Sequence, residues 1–524
     1  MSRLSDLREY AHSRRNFVLA GGPMLLLPLL QDAAAESVTS PVRFSADPFQ
    51  LGVASGDPSP AGVVLWTRLA PQPLEDLGGM PPVPVEVRYE ISTNDSMTQI
   101  VRQGKQVATP ALGFSVHIEV DGLKPNTWYW YRFHAGDAVS PVGRTRTMPA
   151  AGTLPEHLRF AMTSCQHYEQ GLYTAYEHMI AENHDLILHL GDYIYEYEGK
   201  PDRVRLHHGT EIESLDQYRA RFAQYKTDRL LQAAHAHCPW LVVWDDHEFD
   251  NNCAGEISEQ KDADPVQFLL RRANSYQAYY ESMPLRRTSL PTGPHMKLYR
   301  QINFGRLASF DMLDTRQYRT DQPNGDGLKP LSPEALNPKA TMLGDRQEHW
   351  LMSRLIGSAA VWNILGQQIM MARVDRAAGD EAKFSMDQWP GYDVARKRLL
   401  NFIAERRISN PIVLTGDIHS NWVNNLMVDF DRAEDPVVAT EFVCTSLSSG
   451  GNGNAEPKNL SELYSENPFV KFHNQQRGYV TCEVTPAEWK SHYRIVENVT
   501  EPGAPIVTKG SFVVESGKAG ATSV

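Results

Sequence analysis

This chain of 524 residues predicts an α/β fold preceded by a small all-β domain. Three observations carry that reading. Residues 44–147 hold short alternating stretches separated by Pro and Gly, without a long helical period. From residue 156 onward, apolar runs alternate with amphipathic helical stretches. A hydrophobic content of 41% supplies a core of multidomain size.

The first 35 residues read as a leader. Ser13-Arg14-Arg15-Asn16-Phe17-Val18 precedes an apolar run from Leu19 to Leu30, and Ala33-Ala34-Ala35 offers a small-residue cleavage site. This is the layout of a twin-arginine export signal over residues 1–35. The apolar run is about a dozen residues, short of the ~20 that span a bilayer. It is therefore read as cleaved, leaving no transmembrane anchor. The expected partner is the twin-arginine export machinery, and the expected location is the periplasm or the medium. That route carries folded proteins, which suits an enzyme that takes up its metal before export. A net charge of −12 argues against binding a nucleic-acid backbone. Five cysteines, none in a CxxC spacing, leave at least one thiol unpaired in an exported protein.

Strands are expected near residues 62–67, 85–90, 115–120 and 128–134, and this spacing predicts a β-sandwich over 44–147. The segment 122–132, GLKPNTWYWYR, resembles the tyrosine-corner turn of fibronectin type III domains, so the sandwich is read as Ig/fibronectin-like. Its aromatics either pack a core or bind a wall polymer. Residues 148–155 read as a linker to a second domain spanning 156–515. Helices are expected there over 171–183, 216–236, 265–283, 345–356 and 393–407. The run SLSSGGNGN, residues 446–454, reads as a flexible loop. It is either a plain linker or a lining of the site that binds a phosphate oxygen.

Four apolar runs end in ligand-type side chains. LILHL, residues 186–190, leads to Gly191, Asp192 and Tyr195. Residues 158–164 lead to Cys165. Residues 240–244 lead to Asp245-Asp246-His247-Glu248, and residues 411–415 to Gly416-Asp417-Ile418-His419. Alone, each motif has an ordinary structural reading: a cap, a small buried Cys, a core His. Together they place chemistry at strand ends, where open α/β sheets carry their sites. If these strands share one sheet, Asp192, Asp246 and Asp417 meet. Two carboxylates ~4 Å apart repel by about 4 kcal/mol at an effective dielectric of ~20, so cations are expected among them. All-oxygen donors suit Ca²⁺, Mg²⁺ or Mn²⁺, whereas Cys, Tyr and His suit iron or another transition metal. The residues thus suggest an unequal metal pair bridged by Asp192.

The order Cys165, Gly191-Asp192-x-x-Tyr195, Asp246-His247-Glu248 and Gly416-Asp417-x-His419 resembles the PhoD family of alkaline phosphatases and phosphodiesterases, within the calcineurin-like metallophosphoesterases. Trp244-Asp245-Asp246-His247-Glu248, residues 313–319 and Gln367-Gln368 support the likeness, which covers nearly all the mature chain. It implies a metallophosphoesterase-type β-sandwich flanked by helices. It also implies a ferric ion (Fe³⁺) held by Cys165, Asp192, Tyr195 and His419, and calcium (Ca²⁺) held by Asp192, Asp246 and Asp417.

The reaction expected from this likeness is hydrolysis of a phosphate ester by a metal-activated hydroxide. His247 is the expected donor to the phosphate or the leaving oxygen, or else orients its neighbouring ligand. Asn252 and Arg316 are expected phosphate contacts, with an ion pair near Asp314 the other reading for Arg316. The alternatives are a phosphodiesterase acting on teichoic acid or phospholipid, and a surface-binding protein with structural metals. No G-x-S-x-G elbow and no P-loop occurs in the chain.

Overall fold

The computed structural model describes residues 43–524 apart from 45, 378, 380 and 433. The expected export signal lies outside the described residues.

The core is a sandwich of two large sheets. The larger has ten strands, and its centre is parallel: Leu158–Thr163, Leu186–Leu190 and Trp240–Val243 lie side by side. Leu186–Leu190 is buried on both faces, which explains its nearly unbroken apolar run. The second sheet has eight strands, with Ala308–Met312, Trp362–Gly366, Pro411–Thr415 and Val437–Val443 in parallel register. Phe160, Leu188 and Val243 from the first sheet share one buried core with Phe310, Ile364 and Leu414 from the second.

Helices cover both outer faces. Thr174–Glu182, Leu215–Lys226 and Arg229–His237 set Tyr176, Met179, Tyr218, Phe222 and Leu231 against the larger sheet. Gly344–Gly357 and Asp393–Glu405 cover the smaller with Leu351, Leu355, Leu399 and Ile403. The single helix expected over 216–236 is two. The chain turns at Thr227-Asp228, and the Asp228 carboxylate caps the second helix by accepting from the Leu230 and Leu231 N–H groups.

The N-terminal region is a β-sandwich whose first sheet is not separate. Val53–Ser59, Gly62–Arg68 and Ser115–Val120 extend the ten-stranded sheet, joined where Gly56 pairs with Trp240. A Cβ at Gly56 would lie 2.5 Å from the Pro284 carbonyl oxygen and 2.9 Å from that of Trp240, so only glycine fits the joint. The facing sheet is built on Val85–Ser92, Ile100–Ala108 and Trp128–Ala135. The tyrosine-corner likeness has a physical counterpart: Tyr129 accepts the Lys124 N–H at 2.9 Å. Tyr129, Tyr131 and Phe133 pack the sandwich core, and Arg144 lies over the half-buried Trp128 ring at 4.1 Å.

The four ligand-bearing strands do not share one sheet. Three belong to the larger, while Pro411–Thr415 belongs to the smaller. The residues still converge because the sheets face each other and are joined at this pole by a parallel bridge between Ser164 and Ser446. Among the described residues, no helix is long and apolar enough to cross a membrane.

Candidate metal centre

Each strand end turns sharply, and the turn carries the ligand-type side chain. Cys165, Asp192, Asp417 and His419 all have left-handed backbones, with φ of 57°, 56°, 62° and 54°. Side chains with a Cβ rarely sit there, and such residues concentrate at functional sites. Gly191, at φ 107°, precedes Asp192, and a Cβ on it would meet the Asp245 Cβ at 2.4 Å. The glycine thus lets two ligand-bearing turns touch.

Among the described residues, three groups have potential ligand atoms that lie within 4.8 Å of one another inside each group: Cys165, Asp192 and His419; Asp192, Asp246 and His247; and Asp245, Asp246 and Asp417. Asp192 belongs to the first two. Tyr195 completes the first, donating its O–H to Asp192 Oδ2 at 2.8 Å with its oxygen 3.2 Å from His419 Nε2. The six expected ligands therefore gather at one pole. The first group has sulfur, nitrogen, phenolic and carboxylate donors, whereas the third is all oxygen.

The electrostatics demand positive charge. Asp192 Oδ1 and Asp245 Oδ2 are buried without a hydrogen-bond partner. Burial drives the Asp192 carboxyl well above its usual range; Asp246, Glu248 and Asp417 add to this, against His247. Burial also raises Asp245, against Arg316, and lifts Asp417 to about 6. Cys165 and Tyr195 rise for the same reason, with Asp192 adding. Asp246 and Asp387 are the exceptions: burial opposes their charge, but Arg316 outweighs it at both, with His247 at Asp246 and Arg319 at Asp387. Among the described residues, five carboxylates, Asp192, Asp245, Asp246, Asp387 and Asp417, face two guanidiniums, those of Arg316 and Arg319. Cations fit this donor set, because they alone would let these groups ionise together.

The other expected residues are placed as follows. His247 gives Nδ1 to Glu196 Oε2 at 2.8 Å and packs its ring 4.2 Å from that of Tyr195, leaving the second ring nitrogen for the cluster. Glu196, Asp192 and Asp246 hold it protonated against the effect of burial. Asn252 uses its backbone N–H to bind Asp246 Oδ2 at 2.7 Å, and its side-chain amide binds Asp326. Arg316 is fully buried. It binds Asp245, reaches Asp387 at 3.0 Å and Asp417 at 2.9 Å, and lies 3.5 Å from Asp246. The side-chain ion pairs of Arg316 are with these carboxylates, while its backbone N–H binds Asp314.

Several site residues have no strand-end signal. Asp387 lies in MDQWPGY and binds Arg316 and Arg319, and Gln388 donates to Asp417 at 3.2 Å. Glu196 and Glu248 directly follow Tyr195 and His247 in the chain. Glu248 accepts the backbone N–H groups of Asp192, Tyr193 and Asp245, at 2.7 Å for the last, and so ties two ligand turns together. Asp245 also belongs to the oxygen cluster.

The comparisons with known proteins agree. The PhoD-like phosphatase family matches residues 160–493, and its N-terminal domain matches residues 33–149. Alkaline phosphatase D of Bacillus subtilis (strain 168) is 49% identical over 520 residues, covering 98% of this chain and 89% of that protein. A solved structure of PhoD superposes with a TM-score of 0.90 at 50% identity, covering 92% of this chain and 93% of the other. With its convergent strand ends and N-terminal all-β domain, the chain belongs to the PhoD-like phosphatase family.

Proposed function

We propose that this chain is an exported phosphoesterase that works with iron and calcium, splitting phosphate esters at the Asp192 pole. The observation that carries the reading is the shared position of Asp192 between a Cys165–His419 group and an Asp246–His247 group. Cys165, Asp192, Tyr195 and His419 would hold the iron. Asp192, Asp246 and Asp417 would hold the calcium, with Asp245 beside them. Export rests on the twin-arginine pattern of residues 1–35 and makes the location periplasmic or extracellular.

Bound cations would supply Lewis acidity toward the phosphoryl group and acidify an attacking water. The chain's own residues supply the rest. His247, fixed by Glu196, presents its second ring nitrogen at the cluster, where it would donate to the phosphate or to the departing oxygen. Arg316 spreads positive charge under Asp245, Asp387 and Asp417 and offsets their mutual repulsion. The Asn252 amide stands at the rim, positioned by its own backbone contact to Asp246.

One observation favours diesters as further substrates. A cleft of about 610 Å³, lined by Phe268, Gln322 and Asp326 among others, adjoins Asn252 through Asp326. In the diester reading this cleft would take the second alcohol. Hydrolysis of p-nitrophenyl phosphate and its bis ester, run beside elemental analysis of the purified protein, tests both points. Iron and calcium with activity on either ester are expected. Full activity with neither metal present defeats the proposal.

A further inference from the structure

The polar run 446–454 is built into the metal centre. Ser446, Leu447, Ser448 and Ser449 are buried. Leu447 N–H donates to the Ser164 carbonyl at 2.9 Å, and Ser449 N–H to that of Cys165 at 3.2 Å. Ser448 Oγ donates to the His167 carbonyl at 3.0 Å, while Ser449 Oγ accepts the His167 N–H at 3.1 Å. The glycines that follow are pinned by Arg477. Gly450 and Gly453 have φ of 81° and 68°, and a Cβ on either would meet the guanidinium at 2.8 or 3.0 Å. Arg477 also binds the Gly451 carbonyl at 3.2 Å and the carbonyl of His419. The loop is therefore a clamp between the Cys165 and His419 turns.

Ser449 Oγ has one hydrogen and two acceptors in reach: the Tyr195 oxygen at 2.7 Å and the Cys165 carbonyl at 2.8 Å. The carbonyl already takes backbone N–H groups from Ser448 and Ser449. The Tyr195 oxygen gives its own hydrogen to Asp192. A tyrosine that ligates a metal does so as phenolate, and an anionic oxygen is the stronger acceptor of the two. We propose that Ser449 is a positioning residue for Tyr195, donating to its phenolate oxygen and setting how strongly that oxygen gives charge to the iron.

This rests on the iron reading above. A hydrogen bond to the phenolate lowers the energy of its lone pairs. More energy is then needed to move an electron from ligand to metal, and the visible charge-transfer band lies at shorter wavelength. Without the donor, the band moves to longer wavelength.

The test compares whole purified protein as wild type, Ser449→Ala and Ser449→Thr, by iron content, visible absorption and the resonance Raman stretch of the phenolate C–O bond. Expected are a red-shifted band and an altered stretch in Ser449→Ala, and a band near the wild-type position in Ser449→Thr. Iron lost from Ser449→Ala and kept in Ser449→Thr also supports the hydroxyl's role. Iron kept in Ser449→Ala with band and stretch unmoved overturns this proposal alone. Iron lost from both variants overturns it too, because packing and not the hydroxyl is then what matters. A wild type without a visible band overturns the iron–tyrosinate reading and this proposal together.

Discussion

Tyr195 donates its phenolic hydrogen to Asp192 Oδ2 at 2.8 Å, although burial disfavours losing that hydrogen to water. The contact links the residue common to two donor groups to the phenol that completes the first. Tyr195→Phe keeps the ring that packs between His167 and His247 but removes the oxygen. The expected outcome is loss of visible colour and of tightly held iron, with calcium content kept. Metal analysis beside an absorption spectrum checks it. A coloured Tyr195→Phe protein would place the chromophore elsewhere.

Glu196 sets the orientation of His247. One carboxylate oxygen takes His247 Nδ1 and the other takes the Asn251 N–H at 3.1 Å. Loss of such an outer partner typically costs about 10–100-fold in activity or metal affinity. Glu196→Gln is expected to lower kcat by that order with KM little changed and both metals retained. Steady-state kinetics on an aryl phosphate, paired with metal analysis, decides this. A rise in KM with kcat unchanged would mean that His247 binds substrate without assisting the chemistry.

How much of this was legible in the sequence depends on whether a residue announces itself by periodicity. Asp192, Asp246 and Asp417 follow buried apolar runs, so their place at strand ends could be read directly. The pairing of sheets could not: Pro411–Thr415 looks like the other three strands, and only long-range packing puts it in the opposite sheet. The Ser446–Asn454 run carries the composition of a linker, yet its serines are buried because their hydroxyls satisfy the ends of another strand. Asp387 sits in an irregular segment and gains its role from Arg316 and Arg319, far away in the chain. The left-handed backbone of Cys165 has no local signal either, because Cys is not a residue that favours it.

Arg316 is enclosed by carboxylates, and truncating one partner of a buried ion network costs on the order of 3–5 kcal/mol. Arg316→Met is expected to destabilise the protein strongly when calcium is removed, because Asp245 and Asp417 then have neither the guanidinium nor the calcium proposed above. Added calcium should restore part of the loss. Thermal unfolding of both proteins in chelator and in excess calcium measures this. Equal calcium dependence in wild type and variant would show that Arg316 and calcium do not serve the same charges.

Asp311 tests the electrostatics of the core away from the metal centre. It lies on the buried strand Ala308–Met312, with Oδ1 accepting from Gln301 at 2.9 Å and Oδ2 without a partner. Burial lifts its carboxyl to about 7, opposed only by Gln301 and Arg354. In the unfolded chain the group ionises near the usual carboxylate value of about 4. Between those two values the native state binds the extra proton, so stability falls as pH rises from about 4 to about 7 and stays reduced above it. Asp311→Asn removes this penalty, which on the full shift amounts to on the order of 4 kcal/mol. Relative to wild type, the variant should therefore gain stability between pH 5 and pH 8 in urea unfolding of metal-free protein. A gap that stays constant or shrinks over that range would mean that Asp311 is already ionised in the folded chain at pH 5.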